Sequence, residues 1–166
     1  MKSYTSFPTP LPPLYDENAA LLILGSFPSV KSLDRACYYG HTSNRFWKIL
    51  YKAFDTPFQT EPENRKAFAL AHRIALTDTL VSCFRHNSAD DFESVEPNEK
   101  VILQILKDCR IKKIITNGKA ADTFFKKYLL PKIPSGIVYV NLPSTSSRNV
   151  IDFDTLYNVW IKELLN

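Results

Sequence analysis

Cysteine and glycine are scarce in this sequence, and long apolar runs are missing. The three cysteines (Cys37, Cys83 and Cys109) are widely spaced and form no CxxC pair, which argues against a disulfide framework, a zinc site or an iron–sulfur cluster and favours a reducing cytosol. We interpret them as small buried hydrophobic residues. The longest apolar runs, such as residues 19–24, fall far short of the ~20 residues that cross a bilayer. No basic and apolar leader opens the chain, so we expect a cytoplasmic protein without a membrane partner.

Composition places the chain among ordinary globular proteins. Its 166 residues are 45% hydrophobic and 23% charged, which predicts a single domain over residues 1–166. Prolines at positions 8, 10, 12 and 13 predict that residues 1–18 form an extended arm. The net charge of +4 permits an anionic partner such as nucleic acid, although a solvated surface gives the same number.

Short apolar segments alternate along the chain with amphipathic helical patterns. The predicted strands are residues 20–24, 111–116 and 137–140, and residues 74–76 are predicted to form a short strand or a turn. The predicted helices start at Thr42 or Ser43 and near residues 63, 98, 119 and 152. Residues 84–98 are polar and irregular, which favours a surface loop. The alternation predicts an α/β fold, a three-layer α/β/α sandwich around a short, mainly parallel sheet of about four strands.

Three polar loops follow predicted strands, at the edge where open α/β sheets bind ligands. They are residues 25–29, 117–119 and 142–148. Two of the four glycines, Gly25 and Gly118, end predicted strands, either to make a tight turn or to let a ligand approach the main chain. No loop carries a phosphate-binding glycine pattern or a nucleophile elbow.

The three histidines offer little support for metal or serine chemistry. Ser26 paired with His41 or His86 would make a hydrolase, but nothing in the spacing supports that pairing. His41, His72 and His86 also lack metal-ligand spacing. We therefore expect neither a metal nor a cofactor.

Three segments together resemble the uracil-DNA glycosylase superfamily. They are most similar to the hypoxanthine (deoxyinosine)-DNA glycosylase family, whose patterns are GSxPGxxS, YYxHPxNxFW and LPSTSPxx, and next to the mismatch-specific uracil-DNA glycosylases. The matching segments here are GSFPSVKS at residues 25–32, YYGHTSNRFW at residues 38–47 and LPSTSS at residues 142–147. Ser29 and Thr42 depart from the Gly and Pro of the family patterns.

The resemblance implies a monofunctional DNA glycosylase of base excision repair. Such an enzyme flips a deaminated base, hypoxanthine and/or uracil, out of damaged DNA and hydrolyses its N-glycosidic bond. The first motif lacks the Asn or Asp of other branches, so the family pattern points to Asn44 as the catalytic residue, in the first turn of its helix. Its side-chain carbonyl would hold a water in line with the sugar. We expect a monomer that needs no metal or cofactor.

The same resemblance assigns binding roles to the other residues of these segments. The main chain of Ser26 and Phe27 would bind the base, Tyr39 would stack on it and Asn117 would read its edge. The DNA-binding residues would be Ser144, Thr145, Ser146, Ser147, Arg148, Lys119 and His41, with Arg148 at a wedge position. His41 could instead only hold its own loop in place. We expect five basic side chains to line the DNA face, namely Lys31, Arg45, Lys48, Lys119 and Arg148.

Other interpretations of these residues remain open. Asn44 also suits the first turn of a helix, Tyr39 a core and Asn117 a turn before glycine. A non-catalytic nucleic-acid or nucleotide-binding module on the same scaffold would explain the loops and the charge, but not Asn44. A hydrolase using Ser26 would explain the Gly-Ser turn, but not the late serine-rich loop.

Overall fold

The computed structural model describes residues 5–6, 11–85 and 92–166. Its strands are β1 (Thr5–Ser6), β2 (Leu21–Gly25), β3 (Ile74–Asp78), β4 (Leu80–Arg85), β5 (Phe92–Pro97), β6 (Lys113–Asn117) and β7 (Val138–Leu142). Its α-helices are α1 (Val30–Arg35), α2 (Phe46–Ala53), α3 (Pro62–Ala71), α4 (Glu99–Asp108), α5 (Lys119–Phe124) and α6 (Phe153–Leu164). A π-helical turn (Phe125–Leu129) and a 3₁₀ turn (Leu130–Lys132) continue α5.

The central sheet has four parallel strands in the order β3-β2-β6-β7. Side chains of β2 alternate between two apolar clusters: Ile23 packs with Phe46 and Trp160, whereas Leu22 and Leu24 pack with residues of α4. Both faces of the sheet are therefore covered by helices, as parallel sheets require. The predicted three-layer α/β/α architecture is confirmed.

A second, antiparallel sheet corrects the prediction of a surface loop over residues 84–98. Its strand order is β1-β4-β5, and the β4–β5 register shifts twice. Ser94 on β5 has a φ of 50°, and such an irregularity breaks the period-two pattern that reveals a strand. Phe92 and Val95 nevertheless pack against Phe27 and its buried neighbours. His86 and the rest of residues 86–91 lie outside the described residues.

The last residues of the predicted arm are part of the folded domain. Residues 1–4 and 7–10 of the arm lie outside the described residues. Leu14 pairs with Leu76 in an antiparallel bridge, with N···O distances of 2.9 and 2.8 Å in the two directions. The Tyr38 hydroxyl donates to the Pro12 carbonyl at 2.9 Å. The end of the arm thereby covers part of the β3 edge, which would otherwise expose unpaired main-chain groups.

One helix starts later than the sequence predicts, and one helix was not predicted. Helix α2 begins at Phe46 rather than near Thr42 or Ser43, and its N-cap residue is Arg45. Asn44 Oδ1 accepts from Phe46 N at 3.0 Å, in a turn that precedes the helix. Helix α1 was not predicted. It starts after Ser29, whose hydroxyl accepts from the Ser32 main chain at 3.1 Å. No helix in the described part of the chain is long and apolar enough to span a bilayer.

Candidate active site

A cleft of about 280 Å³ lies at the carboxyl edge of the central sheet. Strands β2, β3 and β6 end there at Gly25, Asp78 and Asn117, and the loop after β7 closes the fourth side. Among the residues predicted from the sequence, those that line the cleft are Ser26, Phe27, Tyr39, Asn44, Asn117, Lys119, Ser144, Thr145, Ser146 and Arg148. Three segments that are far apart in the sequence therefore meet at one cleft.

His41 and Ser147 lie beside the cleft rather than in its lining. The Ser43 hydroxyl is 2.7 Å from His41 Nδ1 and 2.9 Å from the Ser147 hydroxyl. Ser43 N also donates to His41 Nδ1 at 3.1 Å, so this ring nitrogen is an acceptor. All three side chains are exposed, and they join the loop before α2 to the loop after β7. Their contact with DNA stays a prediction.

Both glycines singled out from the sequence are required by close neighbours within the protein. A Cβ atom on Gly25 would lie 2.5 Å from Asp78 Oδ1, a distance that no side chain tolerates. Gly118 has a φ of 93°, and a Cβ there would lie 3.0 Å from Ser144 Cβ. The glycines thus allow Asp78 and the loop after β7 to approach the ends of the central strands.

Asp78 is a cleft residue that the sequence analysis did not identify. It is the last residue of β3, lines the cleft and is 5% exposed. Its Oδ1 lies above Gly25, on the neighbouring strand. The sequence signal was a polar residue at the end of an apolar strand, the same signal that marked Asn117. It was overlooked because the strand was predicted to end at Leu76.

A hydrogen-bonded chain joins the two amides of the site through Thr145, which is fully buried. Asn117 Nδ2 donates to Thr145 Oγ1 at 3.0 Å, and Thr145 Oγ1 donates to Asn44 Oδ1 at 2.8 Å. Thr145 N donates to Asn117 Oδ1 at 3.0 Å. Because main-chain donors at Thr145 and Phe46 require an oxygen opposite them, the orientation of both amides is fixed.

These hydrogen bonds determine which atom of the Asn44 amide is available to bind a ligand. Its Oδ1 accepts from Phe46 N and from Thr145 Oγ1, which uses both lone pairs of an amide oxygen. Asn44 Nδ2 has no hydrogen-bond partner among the residues that the structure describes. Asn44 also precedes α2 instead of lying in its first turn, which corrects the position expected from the sequence.

Tyr39 lies between the cleft and the core. Its ring packs on Phe46, with centroids 4.0 Å apart and an interplanar angle of 32°. Its φ of 54° is unusual for a residue with a side chain. Burial of its hydroxyl, with the charge of Asp78 as a second cause, raises the pKa of Tyr39 far above the ordinary value. The hydroxyl therefore stays protonated at neutral pH.

Arg45 corrects the predicted set of DNA-facing basic residues. Its guanidinium donates to four main-chain carbonyls of the loop after β7: Thr145 at 3.3 Å, Ser146 at 2.8 Å, Asn149 at 3.0 Å and Ile151 at 2.5 Å. A side chain held in this way is directed into the protein and not at a phosphate. Arg45 fixes the loop. Of the other four predicted basic residues, all exposed, Lys119 and Arg148 line the cleft, whereas Lys31 and Lys48 do not.

The residues described around the cleft give little support to a metal site or to a hydrolase that uses Ser26. The described residues contain no group of three or more His, Cys, Asp or Glu side chains that could hold a metal ion. A hydrolase would need a base beside the Ser26 hydroxyl. His41 is hydrogen-bonded to Ser43 instead, and His86 lies outside the described residues.

Comparison with known proteins identifies the family. Residues 12–164 match the family model of the uracil DNA glycosylase superfamily. A hypoxanthine DNA glycosylase from Methanosarcina barkeri is 32% identical over 116 residues, which cover 68% of this chain and 72% of that protein. A second hypoxanthine DNA glycosylase, from Methanosarcina acetivorans, is 38% identical over 80 residues, or 48% of this chain and 51% of that protein.

The fold also has a counterpart among solved structures. A solution NMR structure of a candidate uracil DNA glycosylase from Methanosarcina acetivorans superimposes with a TM-score of 0.79 and 25% identity. The superposition covers 96% of this chain and 99% of the other. This chain belongs to the uracil DNA glycosylase superfamily. It is a DNA glycosylase, and its substrate is DNA.

Proposed function

We propose that the enzyme removes deaminated bases, hypoxanthine and/or uracil, from DNA by flipping the nucleotide into the cleft and hydrolysing its N-glycosidic bond. The similarity to two hypoxanthine DNA glycosylases supports this substrate class. In such a reaction the sugar gains positive charge while the base leaves with negative charge. The site must therefore hold a water on one side of the sugar and polar groups around the base.

The observation that carries the proposal is the buried Asp78 carboxylate in the cleft wall. An ionised carboxylate only accepts hydrogen bonds. Deamination converts the ring nitrogen beside the exocyclic group from an acceptor into an N–H donor, in hypoxanthine relative to adenine and in uracil relative to cytosine. Asp78 would accept from that N–H and would repel the lone pair of the unmodified base, which favours both deaminated bases over their parents.

The neighbouring groups complete the contacts to the base. Tyr39 offers the ring face that is not packed on Phe46, so a flipped base would stack there. The Phe27 ring packs with Leu80 and Cys83, which leaves the main chain of Ser26 and Phe27 as the part expected to meet a base carbonyl. Asn117 has one N–H beyond its bond to Thr145, and this N–H would donate to the leaving base.

Asn44 would position the attacking water. Because its Oδ1 is engaged by Phe46 N and Thr145 Oγ1, the contact would come from Nδ2, which donates to the water oxygen and leaves its other lone pair directed at the sugar. An amide is too weakly basic to remove a proton early in the reaction, so its contribution is orientation. At the mouth of the cleft, Ser144, Ser146, Ser147 and Arg148, with Lys119 and His41, would bind phosphates. Thr145 is fully buried and binds Asn44 and Asn117, which corrects its predicted contact with DNA.

A panel of duplexes with one lesion each tests the proposal. Hypoxanthine, uracil and xanthine are compared with adenine and cytosine, and base release is scored as alkali-labile abasic sites. We expect release of one or more deaminated bases and none of the parent bases. Release from no duplex, by a protein shown to be folded, would contradict the proposal.

The Asp78→Asn variant tests the specificity argument on the same panel. An amide can turn either its oxygen or its NH₂ group to the base, so discrimination between hypoxanthine and adenine should fall. A bidentate base-edge contact discriminates by ~1–3 kcal/mol, so the single contact to Asp78 predicts a loss at the lower end of that range, about five- to tenfold. Unchanged discrimination would exclude Asp78 from base reading. Asn98→Ala is the matched control, because Asn98 binds the Asp78 main chain without lining the cleft.

A further inference from the structure

Tyr39, the residue on which the flipped base is proposed to stack, has a strained backbone. Its φ of 54° lies in the left-handed region that residues with a side chain rarely adopt. Such a conformation persists only where the surrounding structure enforces it, and residues of this kind cluster at ligand sites. The contacts that impose the conformation on Tyr39 are therefore of interest for the site.

The residue that follows Tyr39 is bound at both of its main-chain groups by side chains of α1. The Ser32 hydroxyl accepts from Gly40 N at 3.0 Å, and Arg35 Nη1 donates to the Gly40 carbonyl at 3.0 Å. The hydroxyl of Ser29, the N-cap residue of α1, donates to the Ser32 hydroxyl at 2.9 Å. These three side chains are spaced three residues apart, so they lie on one side of the helix.

The peptide groups on both sides of Tyr39 are held in place. A Cβ atom on Gly40 would lie 2.9 Å from the Cys37 carbonyl oxygen, so only glycine allows this close approach to α1. Before Tyr39, Trp47 Nε1 donates to the Tyr38 carbonyl at 2.7 Å. The strained backbone of Tyr39 thus lies between two peptide groups that are fixed by side chains of other segments.

We propose that Arg35 is a positioning residue, which by binding Gly40 holds Tyr39 in its strained conformation and keeps the Tyr39 ring face directed into the cleft. This inference rests on the proposed function, in which the flipped base stacks on that face. Arg35 does not line the cleft, whereas Tyr39 does, so the effect of Arg35 on the base passes through Tyr39. A ring that is held in place before binding loses less entropy when a base stacks on it.

A double-mutant cycle in the full-length protein tests whether Arg35 acts through Tyr39. Arg35→Met removes the donor and keeps an apolar stem, and it is made both in wild type and in the Tyr39→Ala background. Single-turnover base release is measured at saturating protein on the lesion duplex from which wild type releases the base fastest, with Tm as the check of folding. Arg35→Lys keeps a charged donor.

Arg110→Met is the matched control for the loss of one positive charge. Arg110 is exposed and precedes β6, at the opposite end of the central sheet from the cleft. Its replacement should leave the rate at the wild-type value.

We expect Arg35→Met to lower the wild-type rate about fivefold, the factor for loss of one hydrogen bond. In the Tyr39→Ala background the same substitution should change the rate little, because the ring that it positions is already absent. Arg35→Lys should retain most of the wild-type rate.

Equal losses in the two backgrounds would show that Arg35 binds DNA or stabilises the fold directly, and would overturn the proposal. An unchanged rate for Arg35→Met in wild type would do the same. A wild-type rate for Tyr39→Ala would remove the stacking role on which this inference depends, while leaving the reaction itself intact. Failure of wild type to release a base from any lesion duplex would instead refute the proposed function.

Discussion

The Asn44 side chain has two roles, binding its protein neighbours and, as proposed, positioning water, and two variants separate them. Its Oδ1 binds Phe46 N at 3.0 Å and Thr145 Oγ1 at 2.8 Å, whereas its Nδ2 is the group proposed to hold water. Asn44→Ala removes both functions. Asn44→Asp keeps an oxygen for the two protein contacts and removes the N–H donor, so the pair of variants assigns the effect to an atom.

The structural cost of the alanine variant follows from the two contacts. Loss of each of the two hydrogen bonds, from Phe46 N and from Thr145 Oγ1, typically costs ~1 kcal/mol. For a chain of this length each kcal/mol lowers Tm by roughly 2–4 °C. Asn44→Ala should therefore melt about 4–8 °C below wild type and still be folded at 25 °C. Asn44→Asp should melt closer to wild type.

The kinetic effect is expected to be much larger than the structural one. Removing one well-placed donor lowers catalytic rates by about 10²–10³-fold. Both variants should show that loss in single-turnover release from a hypoxanthine or uracil duplex, while lesion binding stays near wild type, because the water contact acts in the transition state. A near wild-type rate for Asn44→Asp would show that the oxygen is the working atom. An unchanged rate for folded Asn44→Ala would refute the catalytic assignment.

Three further predictions concern DNA binding, metal and the loop after β7. Affinity for duplex DNA should fall steeply with salt concentration, because bound phosphates release counterions. In a binding titration, Arg148→Ala should weaken the binding of lesion-containing duplex more than that of undamaged duplex. Equal losses on the two duplexes would make Arg148 a phosphate contact only. Base release should continue undiminished in EDTA, and inhibition that added metal reverses would contradict this. Arg45→Lys loses the planar fork that reaches four carbonyls and should lower Tm by about 5–10 °C, whereas Lys48→Met, at an exposed neighbour, should change Tm little.

The parts of the fold that could be predicted from the sequence are those with a local, repeated pattern of apolar residues. Strands such as β2 are apolar on both faces, because helices cover both sides of the sheet, and this pattern is visible in the sequence. The hairpin of β4 and β5 was missed because a bulge near Ser94 interrupts the alternation. Helix α1 was missed because it is only six residues long and begins with the half-exposed Val30.

The sequence predicted the location of the candidate site, but not every side-chain contact within it. The carboxyl ends of parallel strands share one edge, so the polar loops at Gly25, Asn117 and residues 142–148 were expected to meet. Arg45 was assigned to the DNA face because charge alone does not reveal where a guanidinium points. Its partners, from Thr145 to Ile151, come about 100 residues later in the sequence, and no local pattern indicates such contacts.

The segment before α2 and the loop after β7 behave as one structural unit, and this affects how each of their residues should be interpreted. Asn44 and Arg45 are adjacent, and both bind the later loop, one through Thr145 Oγ1 and the other through main-chain carbonyls. The amide of Asn117, from a third segment, is fixed by the same threonine. A substitution at Thr145 therefore disturbs the proposed water site and the proposed base contact at once. Loss of activity there would not identify a catalytic group, whereas a change confined to Nδ2 of Asn44 would.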